Sequence, residues 1–175
     1  MMINRINSKN NPHFFFLNYS SYTLQVVNFL VIPNYYFTND IIERRTPLSQ
    51  YARRAGWIGC NILLQNIPSS GRIYLVKNQK IEEQKKVLEN WLKTSFLAKQ
   101  RIESRGWTIE IMKIVEQLDN ERFKLEDIYA FEYSLKKKFP NNRFIRPKIR
   151  QQLQILRDKE IIRFLGNGNY KKLLK

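Results

Sequence analysis

The order of patterns after residue 105 most constrains what this chain can fold into. Three stretches with apolar residues at helical spacing precede two strand-like runs, 161–165 and 170–173. The segment between these runs is Gly166-Asn167-Gly168-Asn169, and glycine and asparagine favour the tight turn of a β-hairpin. Three helices followed by a basic hairpin predict a winged-helix domain over residues 106–175.

The three helices are predicted from apolar spacing and from residues that start or stop helices. We expect Thr108 to be the N-cap of the first helix, 125–139 to form the second, and Pro147 to open the third. Lys124 stands where a capping serine or threonine is expected, at a cost of about 1 kcal/mol. The third helix has an apolar inner face with i, i+4 and i+7 spacing. Its members are Ile149, Leu153 and Leu156.

The first half is predicted to form a β-sheet and one helix. Short β-branched and aromatic runs indicate strands, and their nearly continuous hydrophobicity predicts a sheet covered on both faces. The runs are 14–17, 22–27, 28–32 and 71–76. Residues 80–101 change to a charged helical pattern, and Ser104-Arg105-Gly106 is interpreted as a linker. The predicted class is α+β, with domains at 1–102 and 106–175.

The charge of the chain indicates a partner that carries phosphates. Lysine and arginine number 31 against 15 acidic residues, a formal net charge of +16. Both halves share this excess: residues 1–105 hold 15 basic and 6 acidic groups, and residues 106–175 hold 16 and 9. A basic surface of this kind is typical of nucleic-acid binders. The alternatives are an acidic protein partner, an anionic membrane or a charge surplus that serves solubility.

Composition excludes several classes of protein. One cysteine, Cys60, and one histidine, His13, rule out an internal disulfide and a zinc site built from Cys or His clusters. No apolar run approaches the roughly 18 residues of a membrane span, and the start lacks a signal-peptide pattern. We therefore expect a cytoplasmic protein without membrane contact.

The outer side of the third helix carries residue types that read bases. Arginine can bind the two major-groove acceptors of guanine, and glutamine can pair with adenine. Basic residues near the start of this helix and on the hairpin suit phosphate contacts, which position a protein without specifying sequence. The alternative is an ordinary solvated face. The base-reading candidates are Arg150, Gln151 and Gln154, and the phosphate-binding candidates are Arg143, Arg146, Lys148, Lys171 and Lys172.

A second basic element lies at residues 51–62. Arg53, Arg54 and Trp57 stand among glycines there, a composition that fits a loop pressed against a duplex. In that interpretation the arginines contact phosphates and the tryptophan contacts a base step. A buried Trp57 with solvated arginines fits the same composition equally well.

Catalytic groups are sought among carboxylates that could hold a divalent metal beside a phosphate. Glu83 and Lys85 have the Glu-x-Lys spacing, but they sit in a polar helical stretch instead of at the end of an apolar strand. Asp40 and Glu43 have no lysine close by in sequence. We predict no catalytic residue and no metal ligand in this chain.

Four segments resemble one known family. In chain order they are similar to the DpnI-like, Dam-replacing type II restriction endonucleases, which cut GATC when its adenine is methylated. Such enzymes join an N-terminal metal-dependent nuclease domain to a C-terminal winged helix. The resemblance implies that Trp57 lies in a DNA-facing loop and that 146–160 forms the recognition region. The segments are 10–17, 52–61, 104–110 and 148–162.

The chain also departs from this family. The family's metal-binding Asp and Glu-x-Lys set and its two Cys-x-x-Cys zinc pairs lie upstream of the strand that follows Asn10. We therefore expect an incomplete nuclease-type mixed sheet followed by a winged helix, resembling the last two-thirds of such an enzyme and inactive alone. The family's divalent metal, magnesium, and its zinc would be bound elsewhere. The expected partners are adenine-methylated GATC DNA and a separately encoded N-terminal fragment; the alternative is a non-enzymatic regulator that binds unmethylated DNA.

Overall fold

A computed structural model describes residues 2–8 and 10–173, with side chains from residue 4 onward. It confirms the α+β class. The chain divides into two compact units, Met1–Ile67 with Gly71–Val87 and Pro68–Ser70 with Leu88–Lys175. The predicted domain limits stay predictions, and their outer ends at residues 1 and 174–175 lie outside the described residues.

The first unit is built on a four-stranded antiparallel sheet and a separate two-stranded hairpin. The sheet has the order β1-β2-β5-β6, and β3 pairs with β4. Every described strand pair is antiparallel, so the sheet is not the mixed one that we predicted. The elements are α1 Met2–Ile6, β1 Phe14–Ser20, β2 Gln25–Ile32, β3 Ile42–Arg44, β4 Cys60–Ile62, β5 Ile73–Lys77 and β6 Lys80–Ile81.

Strand β2 corrects the prediction for residues 22–32. The two predicted runs form one strand, because Asn28 continues the pairing with β1 while residues 21–24 make the turn between β1 and β2. Leu24 adopts a positive φ of 52° in that turn. The C-terminal end of β2 is buried and contributes Leu30, Val31 and Ile32 to the core.

Strand β1 lies at one edge of the sheet and is exposed along most of its length. Phe15 and Leu17 are 58% and 57% exposed, and Tyr19 is exposed as well. Successive strand residues point to opposite faces. Exposure of both Phe16 and Leu17 therefore contradicts, for this strand, the prediction of a sheet covered on both faces.

The predicted helix over 80–101 is shorter than expected. Lys80 and Ile81 form β6 after a tight turn in which Asn78 and Gln79 both have positive φ. Helix α2 covers Gln84–Thr94 and is followed by a 3-10 turn at Ser95–Lys99. Its leucines Leu88 and Leu92 are both exposed.

The second unit contains the predicted winged-helix elements. Helices α3 to α6 supply the core, and β8 and β9 form the predicted hairpin. A third strand, β7, pairs with β9, so the sheet order is β7-β9-β8. We call these three strands the wing. The elements are α3 Ile102–Gln117, β7 Arg122–Lys124, α4 Leu125–Tyr129, α5 Glu132–Lys138, α6 Ile145–Asp158, β8 Ile162–Gly166 and β9 Asn169–Lys172.

Helix α3 overturns two local predictions. It begins at Ile102, so Ser104-Arg105-Gly106 is helical and not a linker. Thr108 is not an N-cap, because it lies inside the helix and is fully buried. A helical threonine can satisfy its hydroxyl within the helix, and the Thr108 hydroxyl lies 3.0 Å from the Ser104 carbonyl oxygen.

The second predicted helix is divided into α4 and α5 by residues 130–131. Lys124 is the N-cap of α4, as expected, and Asp127 Oδ2 accepts a hydrogen bond from its backbone N–H at 2.7 Å. A capping box has two reciprocal bonds, and here Asp127 makes the one to the backbone N–H of the N-cap residue. The other bond would need an acceptor on the N-cap side chain, which the ammonium group of a lysine lacks. The third helix, α6, begins at Ile145, so Pro147 lies in its first turn but does not open it.

Candidate nucleic-acid interface

Helix α6 separates an apolar inner face from a polar outer face. Ile149, Leu153 and Leu156 are fully buried, which confirms the predicted inner face. The base-reading candidates on the other side, Arg150 and the glutamines at 151 and 154, are exposed. The helix therefore presents these side chains to solvent, and their contact with DNA stays a prediction.

A buried polar contact holds the inner face of α6 against α3. Gln152 is fully buried, and its Oε1 accepts a hydrogen bond from the Thr108 hydroxyl at 2.7 Å. The same hydroxyl lies 3.0 Å from Gln100 Oε1. Because this hydrogen bond requires Gln152 to face α3, it favours the same rotation of α6 as the buried apolar residues do.

The basic residues at the start of α6 have partners within the protein. Arg146 Nε donates to Glu132 Oε2 at 2.7 Å, and its guanidinium lies 4.9 Å from the ring centre of Tyr129. The hydrogen bond to Glu132 and the negative charge of that carboxylate raise the pKa of Arg146. Lys148 Nζ donates to Gln151 Oε1 at 2.8 Å. A guanidinium has five N–H groups and an ammonium has three, so both residues keep donors for a phosphate.

Phe144 is the functional candidate that sequence reasoning missed. It is the N-cap of α6, and its side chain is 72% exposed. Its backbone is well held, because its N–H donates to Asn142 Oδ1 at 2.8 Å and its carbonyl accepts from Lys148 N–H at 3.0 Å. A phenylalanine just before a predicted helix is normally assigned to the core. No pattern in the sequence marked its exposure.

Both lysines of β9 in the wing have partners within the protein. Lys171 Nζ lies 3.3 Å from Glu121 Oε1 in a surface ion pair. Lys172 Nζ donates to the carbonyl of Leu118, the C-cap of α3, and so stabilises the helix terminus. Lys172 Nζ therefore has a carbonyl partner within the fold, and its contact with a phosphate stays a prediction. Arg163 on β8, which we had not singled out, is exposed.

Aromatic stacking and one backbone bond fix the wing to the helices. Tyr170 packs between Phe123 and Phe164, at 5.4 Å and 5.2 Å between ring centres, and burial raises the pKa of its phenol. The turn uses positive φ at residues 166–168, and the carbonyl of Gly168 accepts from the N–H of Leu125 at 2.8 Å. The hairpin tip thus lies against the start of α4.

The long hairpin connection between β3 and β4 forms a second basic surface, which we call the arm (residues 44–60). It contains four arginines, at 44, 45, 53 and 54, and no acidic residue. The backbone bonds Arg45 N–H to Gly59 O (3.0 Å) and Leu48 N–H to Trp57 O (2.9 Å) continue the hairpin beyond the strands. The arm is therefore an ordered projection of the first unit.

Trp57 lies on the surface of the arm, with 52% of its side chain exposed. This rules out the alternative in which Trp57 is buried. Its ring packs on the backbone of Gly59, where an added Cβ would stand 2.9 Å from the ring. Arg53 and Arg54 are also exposed. All three predicted contact residues of this segment are thus accessible on one loop.

The described residues do not fit the metals that the family resemblance implies. Residues 2–8 and 10–173 contain no cluster of three or more His, Cys, Asp or Glu side chains that could hold an ion. Cys60 is a free, exposed cysteine, and Glu43 bonds the Asn61 amide at 3.0 Å. Glu83 and Lys85 are solvent-exposed. No hydrolytic step is derived from these side chains.

Comparison with known protein families accounts for almost the whole chain. The model described as the Dam-replacing family matches residues 1–100. The model described as the Dam-replacing helix-turn-helix domain matches residues 103–172, which contain α3 to α6 and the wing. In the part of the chain that the structure describes, no helix combines the length and apolar character needed to cross a membrane.

Proposed function

This chain belongs to the Dam-replacing, DpnI-like family, and on that premise we propose that it binds double-stranded DNA at GATC sites whose adenine is methylated. The observation that carries the proposal is the outer face of α6. It offers one arginine and two glutamines to solvent on the third helix of a helix-turn-helix domain. The third helix of such domains is the one that enters the major groove.

Charge supports DNA as the partner of this face. Residues 133–157 contain eight lysines and arginines and no acidic residue. Each phosphate that such residues neutralise releases condensed counterions, which drives binding and makes it sensitive to salt. The acidic groups nearest in sequence, Glu132 and Asp158, both bond to arginines, Arg146 and Arg157.

The base-reading residues match the chemistry of GATC. Arg150 suits the two acceptors of guanine, and Gln151 or Gln154 suits the N6 and N7 positions of adenine. In a base-paired N6-methyladenine the remaining N–H pairs with thymine and the methyl group faces the major groove, so a glutamine can still donate to the N7 acceptor. Each such pair discriminates by about 1–3 kcal/mol against a wrong base.

The arm is proposed as a second DNA contact. Arg53 and Arg54 would bind phosphates, and the exposed Trp57 ring would lie against a base step. The support is the accessibility of all three side chains and the absence of acidic residues from the arm.

Cleavage of the bound DNA would need further groups. We propose that the divalent metal of the family, magnesium, and its structural zinc are held by a separately encoded polypeptide. The support is that the described residues offer no donor cluster, while β1 leaves an apolar sheet edge open for another strand.

The test is a titration of the full chain, at several fixed salt concentrations, with matched duplexes that contain GATC with and without N6-methyladenine. Tighter binding of the methylated duplex is expected. Equal, salt-sensitive binding of both duplexes would refute methyl recognition and favour the regulator of unmethylated DNA. A third duplex with the same base composition but no GATC measures the non-specific contribution.

A further inference from the structure

The exposed ring of Phe144 needs an explanation. Phenylalanine is among the residues most often buried, yet here 72% of the side chain faces solvent at the N-cap of α6. The neighbouring residue Ile145 is buried, so the local chain does enter the core. The immediate sequence neighbours with charge, Arg143 and Arg146, are both basic and both exposed.

The position of Phe144 places it with the base-reading residues. It precedes Gln151 by seven positions, or about two helical turns, and therefore lies on the same outer side of α6. Residues at the N-terminal end of a recognition helix are those that contact base edges in the major groove. The ring stands at that end, ahead of Gln151 and Gln154.

The chemistry of the methylated base calls for an apolar partner. N6 of adenine lies on the major-groove edge, and phenylalanine is one of the side chains that contact a methyl group there. Gln151 Oε1 accepts from Lys148 Nζ, and the Gln151 amide keeps its Nε2–H donors for the N7 acceptor of adenine. An amide gains nothing from covering a methyl group.

From this placement we infer that Phe144 is the specificity residue that contacts the N6-methyl group of adenine, while the glutamines bind the polar edge. This inference rests on the proposed function. It assigns the methyl contact to the recognition helix itself. Because the backbone of Phe144 is held by Asn142 and Lys148, the ring is carried at a fixed point of the helix start.

The test compares the full chain with Phe144→Ala and Phe144→Leu. Affinities are measured for GATC duplexes that are unmethylated, N6-methylated on adenine, or C5-methylated on cytosine. The ratio of unmethylated to N6-methylated Kd is expected to fall about fourfold per contacted methyl in Phe144→Ala, the equivalent of ~0.8 kcal/mol for one buried CH₂ group. Phe144→Leu is expected to keep part of the ratio.

Tyr133→Ala is the matched control, because Tyr133 is a highly exposed aromatic residue on α5 instead of on α6. It should leave the ratio of unmethylated to N6-methylated Kd unchanged.

The inference is overturned if Phe144→Ala retains this ratio, weakens binding of all three duplexes equally, or changes binding of the cytosine-methylated duplex as much as that of the adenine-methylated one. If the unaltered chain shows no methyl preference, the proposed function itself is refuted. If the preference is present and survives Phe144→Ala, only the role of Phe144 is refuted. Circular dichroism confirms that each variant is folded.

Discussion

Replacing Thr108 by valine should destabilise the second unit far more than replacing its partner Gln152 by leucine. Both side chains are fully buried, and the Thr108 hydroxyl donates to Gln152 Oε1 at 2.7 Å. Valine has the shape of threonine but no hydroxyl, so Thr108→Val leaves the Gln152 amide without this bond. Gln152 Nε2 already lacks a hydrogen-bond partner among the described residues. Leaving a buried polar group unsatisfied costs about 1–3 kcal/mol.

Gln152→Leu has the opposite balance. It removes both the amide oxygen and the unpartnered Nε2, while the Thr108 hydroxyl can still donate to the Ser104 carbonyl at 3.0 Å. Replacing a poorly satisfied buried amide by an apolar side chain of similar length should therefore be nearly neutral. The double variant should be close to Gln152→Leu, which gives a coupling energy of about 1–2 kcal/mol between the two sites.

The assay is urea unfolding of the full chain, followed by far-ultraviolet circular dichroism, for the four members of this cycle. The midpoint concentration reports stability as long as the slope of the transition is unchanged. Thr108→Ser, which keeps the hydroxyl and loses one methyl group, separates the hydrogen bond from packing. The reasoning is refuted if Gln152→Leu costs more than Thr108→Val, or if the two costs simply add.

Three further changes address the charged and apolar surfaces. The double change Arg53→Ala with Arg54→Ala should reduce the slope of log K against log salt by about 1.8 in a DNA titration, since each lost phosphate contact removes about 0.9. Glu132→Gln should free Arg146 and remove a negative charge beside α6, so DNA binding at low salt should tighten severalfold. Leu17→Lys, on the exposed edge strand β1, should reduce concentration-dependent association of the chain in sedimentation experiments.

Each of these changes has a control at an exposed position elsewhere. Lys85→Ala with Lys93→Ala makes the same charge change on α2. If it reduces the slope of log K against log salt equally, the effect comes from net charge and not from phosphate contacts of the arm. Glu126→Gln on α4 is the control for Glu132→Gln. If both changes tighten DNA binding equally, the specific role of Arg146 is contradicted. Tyr22→Lys, in the turn after β1, is the control for Leu17→Lys. If both changes reduce association of the chain equally, pairing through the edge of β1 is contradicted.

Helix α6 could be predicted because the pattern that specifies it lies within its own sequence. Leu153 and Leu156 are spaced so that any helix places them together, and the opposite side carries the polar residues Arg150, Gln151 and Gln154. The hairpin was predicted for a similar reason, since its turn residues lie between the two strands that they join. Strand β7 escaped prediction because it has only three residues and pairs with β9, far along the chain.

Other predictions failed where a residue far away in the sequence determines the local structure or burial. Thr108 is an equally good N-cap or buried helical residue on local grounds, and the choice is made by Gln152 on α6. Residues 22–32 contain turn-forming asparagine inside a strand, and pairing with β1 carries the strand through it. The exposure of Trp57 and Phe144 depends on what surrounds each ring in space, which composition does not encode. For this reason the arm was left with two interpretations and Phe144 was missed.

The bond between Gly168 and Leu125 makes one amide proton a reporter of the wing. The N–H of Leu125 opens α4, where the first donors of a helix have no partner within that helix, and here the hairpin tip supplies the acceptor. Whenever the tip lifts, that proton loses its bond to the Gly168 carbonyl and becomes exchangeable with solvent. The hydrogen-exchange rate of this amide would thus report how often the wing opens. Slower exchange in the presence of DNA would show that bound DNA holds the hairpin closed.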